Sequence, residues 1–184
     1  MRRLRLVATG VVLSLAATLG AASPAAADLF LEVQGVPGES QDERQPNSID
    51  IRSYSWGASG GGGARPALQE LAVVKNVDIA SPLLFQRLVT GAQIPSVELI
   101  ARTPGANPFV YLRLCFQNVG VSSIKQNAGA SDNVSTENAT FSYAAVSQQY
   151  SAQSPDGGIG QTVFAGWNAT TGTLIQTYPA SCGL

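Results

Sequence analysis

The chain has 184 residues, 45% hydrophobic and 12% charged, with 11 Lys+Arg against 12 Asp+Glu, two cysteines and no histidine. That length holds one domain with a core large enough to stand without staples. The balanced charge lacks the basic excess that a nucleic-acid backbone or an anionic membrane surface selects. The missing histidine removes the commonest general base and the commonest metal ligand.

The first segment reads as a targeting signal. Arg2, Arg3 and Arg5 precede an apolar stretch over residues 6–20, and Ala25, Ala26 and Ala27 stand before Asp28. Together they predict a Sec-type signal peptide over residues 1–27 that is cleaved on export. A transmembrane anchor fits less well, because the apolar run is short and broken by Thr and Gly. The expected mature protein is a single secreted domain over residues 28–184 with no membrane anchor, carrying 8 Lys+Arg against 12 Asp+Glu.

Period-two alternation dominates the mature chain. Leu29, Leu31 and Val33 share one face with Glu32 and Gln34 opposite, the pattern of a half-buried strand. Further strand-like runs are predicted at residues 48–56, 67–76, 96–102, 109–123, 139–150 and 161–168, separated by Gly- and Pro-rich turns. One run breaks phase: Ile49 and Ile51 alternate together, but Tyr54 and Trp56 have the opposite parity. A bulge near Arg52 and Ser53 would bring all four to one side. The alternative is a strand buried on both faces or against a neighbouring subunit.

One helix is expected, at about residues 81–91. Ser81 serves as its cap, Pro82 as its first residue, and Gly91 as its left-handed end. Leu84, Phe85, Leu88 and Val89 form its predicted apolar stripe, with Gln86 and Arg87 facing away. The fold class is therefore mainly β, a small two-sheet barrel with one flanking helix. Loops 36–47, 59–64 and 126–138 are long or glycine-rich and are expected either to find a partner or to tolerate disorder.

Cys115 falls on the polar face of its strand, with Tyr111, Arg113 and Gln117, opposite Leu112, Leu114 and Phe116. In an oxidising compartment, a bridge to Cys182 would pin the C-terminal tail over that face; two free thiols are the other reading. No catalytic chemistry emerges. Acids sit in a charged loop (Glu39, Asp42, Glu43) or singly on polar strand faces (Glu32, Glu70, Glu98), as on a solvated surface. The run of Gly60 to Gly63 lacks the Lys-Ser/Thr of a phosphate loop. No cofactor, metal or catalytic residue is predicted.

Several fragments together carry a resemblance. They are residues 29–33 followed by Gly35 and Gly38-Glu39-Ser40, then residues 49–57 ending in Ser55-Trp56-Gly57. Asp78, Ser81-Pro82-Leu83-Leu84 and Thr90-Gly91 come next, then residues 141–150 and Gly166-Trp167-Asn168. In this order and spacing the chain resembles the haemolysin-coregulated protein (Hcp) family, the tube subunit of type VI secretion. The resemblance implies a two-sheet barrel with one helix, hexameric rings that stack into a hollow tube, and protein effectors as cargo. It makes the loops around Glu39, Ser40, Asp42, Glu43, Arg44, Gly61, Gly62 and Arg65 candidates for contacts between subunits. A signal peptide and a cysteine pair depart from the family pattern. The expected function is thus a secreted, non-enzymatic, ring-forming tube or carrier subunit. The alternative is a secreted monomer that uses the same fold to recognise a surface or a ligand.

Overall fold

The computed structural model describes residues 27–60, 63, 65–105, 107–155 and 157–182. The signal-peptide assignment, apart from Ala27, and the candidates Gly61 and Gly62 lie outside the described residues. In chain order the elements are β1 (Asp28–Val33), β2 (Ile49–Ser55), β3 (Ala58–Ser59), β4 (Ala67–Leu68), β5 (Leu71–Asn76) and α1 (Ala80–Thr90). There follow β6 (Ile94–Arg102), β7 (Val110–Asn127), β8 (Thr136–Gln153), β9 (Ile159–Asn168) and β10 (Thr173–Ile175).

Every pairing is antiparallel, and six strands close into a barrel in the order β8-β5-β2-β1-β6-β7, with β7 returning to β8. The closure depends on the length of β8. Its first part, from Thr136 to Phe141, pairs with β5, while from Ala145 to Gln153 the same edge pairs with β9. The opposite edge pairs with β7 from Thr136 to Tyr150. One strand therefore serves both the barrel and a sheet extension of β9 and β10. Closure removes the exposed strand edges that the six barrel strands would otherwise carry.

The alternation read from the sequence becomes the core. Leu31, Ile49, Leu71, Leu99, Leu114, Phe116 and Phe141 are fully buried inside. The pairing of β2 with β5 slips between Ile51 and Ser53, and Tyr54 and Trp56 pack on the same core as Ile49 and Ile51. That is the bulge, and it settles the parity conflict. Trp56 Nε1 donates to the Tyr143 hydroxyl (2.6 Å), which donates to the Gln69 carbonyl (2.6 Å), so the half-buried indole has its polar end satisfied.

Three expectations need correction. The polar segment 126–138 is not all loop: β7 runs to Asn127 and β8 starts at Thr136, because ladder pairing overrides a composition rich in Asn and Ser. Two short strands, β3 paired with β4 and β10 paired with β9, form where no strand is predicted. Loop 36–47 is ordered within the chain rather than disordered, since the Gly38 and Ser40 amides donate to Asn47 and Ser48 carbonyls (2.7 and 3.0 Å). A Cβ at Gly38 would run into the Ser48 carbonyl, which is why glycine stands there.

The helix is also shifted. It begins at Ala80, so Pro82 is its third residue rather than its first, and Ser81 lies inside the first turn instead of capping it. The capping acceptors are Asp78 Oδ1 for the Ala80 amide (2.9 Å) and Glu39 Oε1 for the Ile79 amide (3.1 Å). Ser81 is drawn inward because its hydroxyl accepts from Lys75 Nζ at 2.9 Å. This turns the helix so that Ala80, Ser81 and Leu84 are buried and Leu88 half-buried, while Phe85 and Val89 stay exposed. Gly91 ends it in the left-handed conformation (φ 66°), as expected.

Candidate functional site

The barrel register assembles a polar row on the outer wall. Glu32 on β1 lies opposite Glu98 on β6, Glu98 opposite Cys115 on β7, and Cys115 opposite Ser147 on β8. The C-terminal tail crosses this row. Cys182 is joined to Cys115 by a disulfide with the Cα atoms 5.8 Å apart. Ser96 Oγ donates to the Ser181 carbonyl (2.8 Å), and Tyr178 packs edge-on against Phe164 with centroids 6.0 Å apart. The bridge read from the cysteine pair is therefore formed, and it covers the face that the alternation assigned to Cys115.

Glu98 is the centre of this face. Its Oε1 accepts from Arg113 Nη1 and from the Tyr178 hydroxyl, each at 2.8 Å, while its Oε2 is buried with no partner. Burial, and then the neighbouring Glu98 carboxylate, push the half-buried Glu32 carboxyl above its ordinary range. The same two causes push the Tyr178 phenol upward. A cavity of about 320 Å³ lies beside them, with Glu32, Glu98, Ser48, Val36, Ser181 and Cys182 on its walls. In the sequence Glu32 and Glu98 read as single surface acids. Only the register of β1 against β6 pairs them, and no local sequence signal gives it.

The candidate contact residues are largely engaged within the chain. Glu39 caps the helix, and Ser40 is buried with its hydroxyl accepting from the Asp42 amide (3.4 Å). Asp42 forms a two-point pair with Arg102, at 2.7 Å from Nη1 to Oδ1 and 2.5 Å from Nη2 to Oδ2. Asp28 joins the same guanidinium at 2.8 Å, and Phe30 stacks beneath it, 4.9 Å from the ring centre. Arg44 donates to the Pro108 carbonyl (2.6 Å), and Arg65 to the Ala169 carbonyl (3.1 Å). Glu43 is exposed. Loop 36–47 is thus tied across the β6 end, while Arg65 reaches the turn before β10.

Among the described residues there is no cluster of three or more His, Cys, Asp or Glu that could hold a metal ion, and no helix long and apolar enough to cross a membrane. Polar groups here tie loops, helix and tail to the barrel wall. The fold is a closed antiparallel β-barrel with one flanking helix and a disulfide-held C-terminal tail.

The family model described as "Type VI secretion system effector, Hcp" matches residues 30–150, and the chain belongs to the Hcp family. It is 32% identical over 154 residues to Protein hcp1 of Pseudomonas aeruginosa, covering 78% of this chain and 95% of that protein. Its fold is similar to the crystal structure of Hcp1 from Salmonella typhimurium, with a TM-score of 0.72, 29% identity, and coverage of 82% of this chain and 100% of that one. The solved structure of a type six secretion system protein is similar with a TM-score of 0.76, 28% identity and the same coverage. The family match ends at residue 150, before β9, β10 and the disulfide-held tail.

Proposed function

We propose that this protein is a secreted, non-enzymatic Hcp-type subunit that assembles with copies of itself into a ring, a hexamer by family resemblance, and serves as a tube or carrier element for a protein cargo. The observation that carries the reading is extent. The chain covers 95% of Protein hcp1 and 100% of the Salmonella Hcp1 chain, so the whole subunit has its counterpart here. Uncovered apolar side chains supply surface for a neighbour: Phe85 and Val89 on α1, Ile159 and Val163 on β9, and Leu174 on the edge strand β10. A contact that joins two different patches and closes on itself gives a ring. Glu43, Arg65 and the Gly61-Gly62 loop are assigned to subunit or ring-stacking contacts. Residues 1–27 are assigned to export and cleavage, which places the protein outside the cell.

A second reading is a secreted monomeric binding module. It is favoured by the intrachain engagement of Glu39, Asp42 and Arg44, which would otherwise be free for a neighbour. Molar mass by light scattering on a sizing column, with negative-stain images of the peak, separates the two. Closed rings support the subunit reading; a monomer across a wide concentration range overturns it in favour of the module.

A further inference from the structure

The apolar rows of the barrel core run past the barrel. Val97, Phe116, Val146, Trp167 and Leu174 stand opposite one another across β6, β7, β8, β9 and β10. Ala101, Leu112, Tyr150 and Val163 form a second row on the same face. Val97, Ala101 and Phe116 are fully buried inside the barrel. Where β8 continues beyond it beside β9 and β10, the rows are uncovered: Tyr150 is 46%, Val163 52% and Leu174 66% exposed. A cavity of about 320 Å³ opens on this face, with Trp56, Pro66, Leu68, Trp167 and Leu174 on its walls. That volume exceeds the ~150 Å³ that suffices for a benzene ring.

This part of the chain is also nearly free of charge. Residues 138–184 contain a single charged side chain, Asp156. Depletion of charge around exposed apolar and aromatic side chains marks the centre of a protein–protein contact rather than a solvated face.

A second patch lies elsewhere on the same chain. α1 buries Leu84 against the barrel and presents Pro82, Phe85, Gln86 and Val89 outward, at i, i+3, i+4 and i+7. Phe85 and Val89 are more than half exposed, and no charge interrupts the stripe. An uncovered helix stripe and an uncovered sheet face bury each other's apolar surface when stacked. The other side of α1 already packs on its own β7, so the helix that covers the extension belongs to a second molecule. Neither patch holds an ion that the contact would have to desolvate. Pro82, Phe85 and Val89 on one side, and Tyr150, Val163 and Leu174 on the other, uncover roughly 300 Å² per patch. A standard contact of about 800 Å² per partner contains ~450 Å² of apolar surface, so the two patches supply most of it.

We infer that a second copy of this chain lays the outer stripe of its α1 on the face formed by β8, β9 and β10, with its Phe85 ring in the cavity between Trp56 and Trp167. This contact rests on the self-assembly reading above and joins two different patches. It is therefore head-to-tail, and each copy keeps one patch free for the next.

The test is molar mass by light scattering, over a range of concentration, on the purified protein and on two surface variants, Phe85→Glu and Leu174→Glu. Both positions are exposed, so both variants should keep the thermal midpoint of the unmodified protein. The unmodified protein should assemble, while each variant alone stays monomeric at concentrations about tenfold higher. An equimolar mixture of the two variants should form a one-to-one heterodimer and stop there. The intact helix stripe of the Leu174→Glu copy meets the intact sheet face of the Phe85→Glu copy, and the remaining pair of patches brings two like charges together. Assembly that both variants leave unchanged overturns this contact and leaves self-assembly standing. Monomeric variants that do not combine on mixing overturn the head-to-tail pairing of these two patches. An unmodified protein that stays monomeric throughout overturns both this contact and the ring.

Discussion

Lys75 Nζ lies 2.6 Å from Asp78 Oδ1 and 3.4 Å from Glu137 Oε1, and the Lys75 and Glu137 side chains are both completely buried. The ammonium also donates to the Asn76 carbonyl (2.8 Å) and Ser81 Oγ, and Gln126 Nε2 donates to Glu137 Oε2 at 2.7 Å. This network joins β5, β7, β8 and the start of α1. Buried ion pairs recover their desolvation cost only when every partner is present, so breaking one is more destructive than its net worth suggests. Lys75→Met should therefore cost about 3–5 kcal/mol in urea unfolding. Adding Glu137→Gln should cost much less than the sum of the two single changes, because the uncompensated carboxylate is then gone. Strict additivity would show that the network is not coupled as described.

The Arg102 and Asp42 pair predicts an acid limit. The Arg102 hydrogen bonds, foremost, bring the Asp42 carboxyl down to about 2 from its ordinary 3.8. A folded-state value below the unfolded one means the carboxylate contributes its full stability above the ordinary value. That contribution is lost as pH falls through about 2. The stability difference between the unmodified chain and Asp42→Asn should be constant near neutrality and shrink as pH falls below the ordinary carboxylate range. A difference that stays flat into strong acid would show that Asp42 is not held by Arg102 in solution.

The strand pattern is readable because half-buried strands must alternate, and the Tyr54 and Trp56 parity break can be solved only by a bulge or a second buried face. The strands missed in the sequence, β3 and β10, are segments of two and three residues, too short to carry a period. Burial of Lys75 and Glu137 is hidden, because charges in a strand pattern read as solvent-facing until the partner strands are known. For the same reason Glu32 and Glu98 look isolated: they lie far apart in sequence and meet only through strand pairing. The cysteine bridge is more accessible, since an even pair and the strand face of Cys115 limit where the tail can go. Sequence thus discloses each strand's faces but not the partner of each polar face.

Helix packing supplies a sharp contrast between adjacent residues. Leu84 is fully buried, whereas Phe85 is 56% exposed. Leu84→Ala should cost about 2–5 kcal/mol, since it leaves a cavity against the barrel. Phe85→Ala should change stability by no more than about 0.5 kcal/mol, as expected of a surface site. In an assembled ring the second change would instead register in the subunit affinity, so both variants belong in unfolding and molar-mass measurements together. Equal losses for the two in the monomer would place Phe85 in the core and reject the helix rotation set by Ser81.

The disulfide joins residues 67 apart in sequence and fastens a tail that has its own weaker bonds to the wall. A cross-link of that span restricts the unfolded chain and contributes roughly 2–4 kcal/mol. Reduction should therefore lower the thermal midpoint of the unmodified protein, while a Cys115→Ala, Cys182→Ala double variant should start lower and ignore the reductant. The tail bonds from Tyr178 to Glu98 and from Ser96 to Ser181 are local and reversible, so reduction should increase amide exchange in residues 178–182 before it affects the barrel strands. If exchange rises in the tail with no change in midpoint, the bridge holds only the strap and adds nothing to the barrel. If neither changes, the two cysteines are not joined in the purified protein, and the tail is held by its hydrogen bonds alone.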